Sequence, residues 1–335
     1  MLELYLPVIW AGLIAAAVAL YVILDGFDLG IGILFPTTRN ENERDQMMNT
    51  VAPFWDGNET WLVLGGGGLW VAFPQAYAVI MPAFYLPVIV MLLALIFRGV
   101  SFEFRIVSKP KHRLWDFAFF AGSTLAAFAQ GVILGGLIQG VVVVDGRFGG
   151  GAFDWATPFA FLCGLGLIAG YALIGATWLI AKTDGPVQER SRAQARVLLL
   201  VVLGLIAIVS LWTPLGTQRI SERWFSQPNI WFLWPVPIIT AALGYYVWIG
   251  LARARDFTPF IGVIGLFVLA YLGLAISTFP YLVPPTLTVW DTAAVPESQV
   301  FTLIGTVIML PIILGYFAFV FWIFRGKVRE ADGYH

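Results

Sequence analysis

Trp55-Asp-Gly-Asn-Glu-Thr-Trp61 runs directly into Leu62-Val-Leu64 and then into four glycines, Gly65 to Gly68. The stretch places two carboxylates, Asp56 and Glu59, at the mouth of a segment that otherwise reads as buried in a lipid bilayer. The two acids are three residues apart, so on a helix they share a face. A charge at such a place is costly unless it has a partner or a task. The glycine run follows no strand and falls in mid-span, which argues against a phosphate-binding loop. Close helix packing is the expected use of Gly65 to Gly68.

Working outward, the composition agrees with a membrane setting. The chain has 335 residues, 59% of them hydrophobic and only 12% charged, with a mean hydropathy of +0.84. A soluble domain carries about 25% charged residues. Apolar runs near the length that crosses a bilayer recur throughout. The expected class is an all-α polytopic membrane protein, with residues 1–335 forming a single membrane domain. No cleavable signal peptide is expected, because the first apolar run is too long for one and lacks a basic leader. The net charge of −1 argues against a polyanionic partner such as nucleic acid. The single cysteine, Cys163, lies in an apolar run and reads as a buried structural thiol. Only two histidines exist, His112 in a Lys/Arg-rich loop and His335. Neither lies in a predicted span, which argues against haem or metal ligation inside the membrane by this chain.

The pattern predicts nine spans, at about 6–35, 54–73, 76–102, 115–143, 156–181, 196–213, 229–251, 258–280 and 300–325. Only the Phe73-Pro-Gln-Ala-Tyr77 turn separates the second from the third. Of the 19 lysines and arginines, all but Arg147, Arg219 and Arg223 fall on one side, Lys109, Lys111 and Arg329 among them. Positive residues mark the cytoplasmic face. The N-terminus is therefore expected outside and the C-terminus in the cytoplasm. The run Arg39-Asn-Glu-Asn-Glu-Arg-Asp45 reads as a solvated loop or a short interfacial helix. Trp155, Trp224, Trp231, Trp234 and Trp290 fall near predicted outer interfaces, where indoles belong.

Span 1 ends in Leu24-Asp-Gly-Phe-Asp-Leu-Gly-Ile-Gly32. Asp25 and Asp28 share a helix face, and Gly26 and Gly30 have the spacing that admits a neighbouring helix. With the predicted orientation, Asp25 and Asp28 lie in the cytoplasmic half of the membrane. Asp56 and Glu59 open span 2 on that side, and Arg98 and Glu103 close span 3 there. Three helix ends would thus bring five carboxylates and one guanidinium to one level. Such a set can exchange protons, since burial and a nearby Arg pull on a carboxyl group in opposite senses. Structural uses compete with this reading. Asp56 could cap span 2, Arg98 could merely neutralise Asp25 or Asp28, and Glu103 could be an interfacial charge.

At these residues the chain resembles subunit II of the cytochrome bd-type quinol oxidases, including the cyanide-insensitive branch. The resemblance is carried by Asp25-Gly-Phe-Asp-Leu-Gly-Ile-Gly32 and by Met48-Asn-Thr-Val-Ala-Pro-Phe-Trp-Asp-Gly-Asn-Glu-Thr-Trp-Leu-Val-Leu-Gly-Gly-Gly-Gly68. Ala72-Phe-Pro-Gln-Ala-Tyr77 and Phe97-Arg-Gly-Val-Ser-Phe-Glu-Phe-Arg105 complete it. It implies two four-helix bundles plus one peripheral helix, in a bacterial cytoplasmic (inner) membrane. It also implies a heterodimer with a subunit I that carries two b-type haems, one d-type haem and the quinol site. This chain would bind no haem. The complex would oxidise quinol and reduce dioxygen to water without pumping protons. A cytoplasmic proton route would then involve Asp25, Asp28, Asp56, Glu59, Arg98 and Glu103, with Trp55 beside Asp56. Some relatives carry Asp at the position of Glu103 and Gln at that of Glu59. The resemblance leaves open a structural quinone and a small single-helix accessory subunit. Judged on charges alone, a proton-coupled secondary transporter is the alternative, and a purely structural assembly subunit is a third. A transporter would be expected to show broken helices in both halves, whereas the acids here are confined to the first three spans.

Overall fold

The computed structural model describes residues 2–108 and 112–328. Lys109, Lys111, Arg329 and His335 lie outside the described residues.

The apolar runs fold as helices because a backbone in lipid must satisfy its own hydrogen bonds. In chain order the helices are α1 (Leu2–Leu34), α2 (Glu41–Asn49), α3 (Trp55–Ala72), α4 (Pro74–Ala83), α5 (Tyr85–Val107), α6 (Arg113–Gln139) and α7 (Pro158–Lys182). There follow α8 (Pro186–Gly216), α9 (Gln218–Phe225), α10 (Asn229–Leu233), α11 (Pro235–Ala252), α12 (Phe257–Thr278) and α13 (Pro296–Ile323). Two small antiparallel hairpins lie in the loops. One pairs β1 (Val143–Val144) with β2 (Arg147–Phe148), matching Val143 to Phe148. The other pairs β3 (Tyr281–Val283) with β4 (Leu287–Thr288), matching Tyr281 to Thr288.

Among the described residues, eight helices are long and apolar enough to cross a membrane. The predicted second span, α3, is not one of them. Its 18 residues include Asp56, Asn58, Glu59 and the four glycines, which lower its mean hydropathy. The predicted third span is divided at Phe84, where α4 gives way to α5 between Pro82 and Pro87. Proline removes a backbone donor and crowds the preceding turn. The predicted seventh span, 229–251, is found as one span over Asn229–Ala252, with a local turn at Trp234 before Pro235. The predicted sixth span begins ten residues too late, at 196 rather than Pro186. The charged first turns of α8 stay helical because Arg190 pairs with Glu43 and Arg192 with Asp256.

Helix α1 is the axis of the packing, touching α3, α6, α7, α12 and α13. Gly26 and Gly30 do admit a helix, and it is α7. A Cβ on Gly30 would sit 1.9 Å from the Tyr171 carbonyl oxygen, and one on Gly26 would sit 2.9 Å from the Tyr171 ring. The run Gly65 to Gly68 serves packing only in part. Gly65 and Gly68 face Val18 and Ile14 of α1, whereas nothing lies within 4 Å of a Cβ on Gly66 or Gly67. Helix periodicity explains this, since only positions three apart share the α1 face. Cys163 is buried among the α6 glycines, a Cβ on Gly135 falling 3.1 Å from its Sγ. Helix α13 is peripheral, with Gln299 its one buried residue among those described. Trp155, Trp224 and Trp290 donate to Ala152, Ser277 and Leu4, while Trp231 and Trp234 stand exposed.

The basic loops meet at one end of the helix layer. Helix α2, capped by Asn40, is a short helix there rather than a solvated loop. Arg105 reaches Asp116 at 2.7 Å, Glu41 at 3.0 Å and also Asp45. Arg44 meets Asp116 at 2.8 Å, and His112 meets Glu41 at 2.6 Å.

Two outcomes follow from this packing. Gly30→Ala destabilises the purified protein by about 2 kcal/mol or more, because the α7 backbone blocks the new methyl, while Gly66→Ala leaves thermal stability unchanged. Equal melting temperatures for the two variants would contradict the α1–α7 contact. The second outcome concerns Glu43. Burial works against its carboxylate, but the Thr38 hydroxyl and the Arg190 guanidinium hold it below the usual carboxylate range. A lowered value in the folded state gives stability that is present above the unfolded value and is lost as pH falls through the folded one. Glu43→Gln therefore lowers the melting temperature at neutral pH, and the gap to the parent narrows as pH falls below the ordinary glutamate range. A gap independent of pH excludes this ionic contribution.

Candidate functional site

Three helices deliver the predicted residues. On α1, Asp25 and Asp28 lie on the face that looks toward α3 and α5, and both are fully buried. Arg98 of α5 is fully buried as well and pairs through Nη2 with Asp25. Glu59 of α3 stands 3.7 Å from the same guanidinium nitrogen, with its side chain 30% exposed. The set therefore reaches from a fully enclosed ion pair to a carboxylate in touch with the surroundings.

The placement is built locally. Phe54 starts α3, its ring stacked on Phe321 at 4.5 Å and set edge-on to Trp178 at 5.9 Å. Trp55 stacks on Phe102 of α5 at 4.9 Å, and the Arg98 guanidinium lies 5.8 Å from the Trp55 ring centroid. A cation over an indole face is favourable where both are desolvated. On α6, Gly122 lets that helix close over the α5 backbone at Arg98, since a Cβ there would be 3.0 Å from the Arg98 backbone nitrogen. The arginine is thus walled in by α1, α3, α5 and α6.

Two of the predicted residues stay apart. Asp56 points to the exposed side of the first turn of α3, and Glu103 to the exposed side of α5. Neither enters the buried cluster. Asp56 is not the N-cap of α3, a position taken by Phe54 without a side-chain cap.

One residue of the opening stretch was not singled out in the sequence. Asn58 is fully buried and donates through Nδ2 to Asp28 Oδ2 at 2.8 Å and to the Leu24 carbonyl at 3.2 Å. Its position one residue before Glu59 carries no distinctive signal, because an amide at a helix start usually reads as a cap or a surface residue. Further buried atoms here have no protein hydrogen-bond partner: Asp25 Oδ2, Asp28 Oδ1, Asn58 Oδ1 and Arg98 Nε and Nη1.

Chemically, the arrangement offers oxygen atoms that can take up and release protons, beside a fixed positive charge. The second-half spans α11 and α12 carry no charged residue, so this ionic grouping has no counterpart in them. The one described histidine, His112, is at the ionic end of the fold and its Nε2 faces Glu41.

Removing one member of a buried pair strands the other charge. Arg98→Leu is expected to cost about 3–5 kcal/mol, and the double variant Arg98→Leu with Asp25→Leu to recover much of it. Thermal unfolding of both variants checks this. A double variant no more stable than the single one would mean that the pair does not act as a unit.

The comparisons bear on the whole chain. The family described as Cytochrome bd terminal oxidase subunit II matches residues 6–324. The Escherichia coli (strain K12) protein named Cytochrome bd-I ubiquinol oxidase subunit 2 is 30% identical, covering 97% of this chain and 95% of its own length. The Bacillus subtilis (strain 168) protein named Cytochrome bd ubiquinol oxidase subunit 2 is 29% identical, with 97% of each chain covered. Among solved structures, that of the bd oxidase from Geobacillus thermodenitrificans contains a chain that superposes with a TM-score of 0.75. It covers 95% of this chain and 98% of that one at 18% identity, which is a likeness of fold. Taken with a helical membrane fold and acids gathered on its first three predicted spans, the match over residues 6–324 shows that the chain belongs to the cytochrome bd terminal oxidase subunit II family.

Proposed function

We propose that this chain is the non-haem subunit of a bd-type quinol:oxygen oxidoreductase in the bacterial cytoplasmic membrane. In this reading it supports a haem-bearing subunit I and supplies that subunit with protons from the cytoplasm. The observation that carries the reading is the graded burial of one acidic set, from the part-exposed Glu59 through Arg98 to the fully buried Asp25 and Asp28.

The partner's haems supply the electron transfer and the oxygen chemistry. The residues of this chain move and hold protons. Reduction of dioxygen to water consumes protons, and a membrane interior supplies none, so a titratable path must cross the apolar layer. Glu59 is placed to collect a proton where its side chain meets the surroundings. Arg98 keeps a permanent charge between Glu59 and Asp25. Asp28 stands one helical turn from Asp25, with one oxygen fixed by Asn58 and the other unbonded within the protein. That free oxygen, with the unpartnered atoms of Asp25, Asn58 and Arg98, forms a polar lining suited to water-borne proton transfer. Asp56, one turn before Glu59, is an outer collector at the mouth. Glu103 on its exposed face has no part in the buried segment.

The end of the fold where Arg44, Arg105, Arg190, Arg192 and Lys327 gather is assigned to the cytoplasm by its positive charge. The route then opens on the side from which protons are taken without being pumped. The groove at the opposite end, between Met81, Tyr85 and Phe148, leaves room for a structural quinone or lipid.

The test is the complex purified from its native membrane. It is expected to contain a haem-bearing partner and to consume oxygen when quinol is added. A colourless single chain that moves a solute would support the transporter instead. Within the active complex, Asp25→Asn is expected to slow quinol-driven turnover about tenfold or more at unchanged haem content. Glu59→Gln and then Asp56→Asn are expected to follow with smaller losses. Full activity in Asp25→Asn removes the proton route from this chain.

A further inference from the structure

At the end of the helix layer opposite the basic loops, positive charge is scarce. Only Arg147, Arg219 and Arg223 of the chain's 19 lysines and arginines are expected there. Two of the three share the short helix α9. Arg219 and Arg223 are four residues apart, so their side chains stand one above the other on one face. Ile220 and Trp224 form the neighbouring row and turn inward. Ile220 packs with Ile138, Phe159 and Cys163, and Trp224 Nε1 donates to Ser277 Oγ at 2.8 Å.

Both arginines reach the end of α12. Arg219 Nη1 donates to the Ser277 carbonyl oxygen at 3.0 Å, and Arg223 Nη2 donates to that of Phe279 at 2.7 Å. Those carbonyls are two residues apart, so the two guanidinium groups are held side by side. The bonds satisfy a helix C-terminus, but each occupies one nitrogen of a group with five donors. Arg219 Nε has no protein partner. The one acid of α9, Glu222, accepts from Gln218 Nε2 at 2.8 Å. Among the described residues neither arginine has a carboxylate within 4.0 Å. Like charges one turn apart repel and destabilise a helix, and an anion between them turns that repulsion into attraction.

Depth and surroundings narrow the class of anion. Helix α12 has 22 residues, a length of about 33 Å, which matches a hydrocarbon core of about 30 Å. Its end therefore lies at the level of lipid phosphates. Phe225 closes α9, and Trp231, Phe232 and Trp234 follow it; all four are exposed. Such rings belong at the membrane interface and give acyl chains a surface beside the charged pair. A free anion has no use for that apolar border.

We propose that Arg219 and Arg223 bind the phosphate of an anionic phospholipid whose acyl chains lie against the exposed rings of Phe225, Trp231 and Phe232. The planar fork of a guanidinium matches phosphate oxygens in pairs. The site stands at the opposite end of the fold from the basic loops and does not depend on the proton route.

The test uses the purified complex with its haem-bearing partner in detergent. Phosphatidylglycerol, phosphatidylcholine and inorganic phosphate are each titrated into the parent, Arg219→Gln, Arg223→Gln, the double variant and Arg147→Gln, a change at an exposed residue of β2. Melting temperature and retained phospholipid are read, and haem spectra report assembly. Phosphatidylglycerol is expected to stabilise the parent at a concentration about tenfold or more below that needed by the double variant, with Arg147→Gln behaving as the parent. Equal titrations for the parent and the double variant overturn the proposal. So does an equal response to phosphatidylcholine, which marks an apolar surface that does not read charge. An equal effect of inorganic phosphate marks a free-anion site, and loss of a polypeptide from the double variant marks a protein interface; either overturns the lipid assignment. Should the double variant fail to assemble, Arg223→Gln, whose contact with Phe279 is exposed, is judged by the same criteria.

Discussion

Arg98 carries a full charge at a place with no exposure at all, and much of the first half of the chain is arranged to make that tolerable. Taking an ion out of water costs several kcal/mol even after relaxation. Asp25 answers the charge directly, Glu59 answers it at 3.7 Å, and the Trp55 ring lies near the cation. These partners come from α1 and α3, so the arginine fixes three helices relative to one another. The fourth wall, α6, can approach only because residue 122 is glycine, a Cβ there falling 2.6 Å from the Ala94 carbonyl oxygen. The same logic repeats one layer away, where Gly30 and Gly175 let α1 and α7 touch backbone to backbone. Lipid gives no hydrophobic drive for helices to associate, so close approach and interhelical polar contacts must supply it.

A second set of charges holds the basic end together by different physics. Here water is near, and the ion pairs are stitches between segments far apart in sequence. Helix α2 is tied to α5 and α6 through Arg105, Arg44 and Asp116, and to α8 through Glu43 and Arg190. The segment after α13 is drawn in as well. Gly326 accepts from Lys182 at 2.9 Å, and Val328 accepts from Gln46 at 2.8 Å. Lys327 reaches Asp184 and Asp256, each at 2.7 Å. The start of α3, which carries the acids of the mouth, sits against this stitched layer through Phe54, Phe321 and Phe324. The position of Asp56 and Glu59 is thus set by residues outside the acidic cluster.

The opening stretch held more than its two acids suggested. Asp56 and Glu59 share a helix face in outline, yet Glu59 reaches Arg98 and Asp56 stays on the exposed side. The 300° swept over three residues leaves the two side chains about 60° apart, and near a buried cation that difference decides which of them enters. Asn58, between them, turns fully inward and bonds Asp28. Tyr21, Gln130 and Tyr171, joined by hydrogen bonds across α1, α6 and α7, lie far apart in sequence within apolar runs, where a tyrosine or glutamine gives no sign of its partner. Glu103 shows the reverse case, an acid in a well-marked motif whose side chain faces away from the cluster.

Composition, run length and the spacing of glycines and acids were enough to set the class, most of the helices, the small-residue face of α1 and the convergence of Asp25, Asp28, Glu59 and Arg98. Those features are local: a period, a length and a charge that lipid will not accept alone. The break at Phe84, the extension of α8 to Pro186 and the folding of α2 were decided by prolines in context and by ion pairs between distant loops. Only the tertiary structure chose Asp25 as the immediate partner of Arg98, brought in Asn58 and left Asp56 outside. The reason is physical. A sequence shows which groups must be neutralised, but which atom does it depends on helix rotation and on how closely backbones approach, and packing across the whole layer sets both.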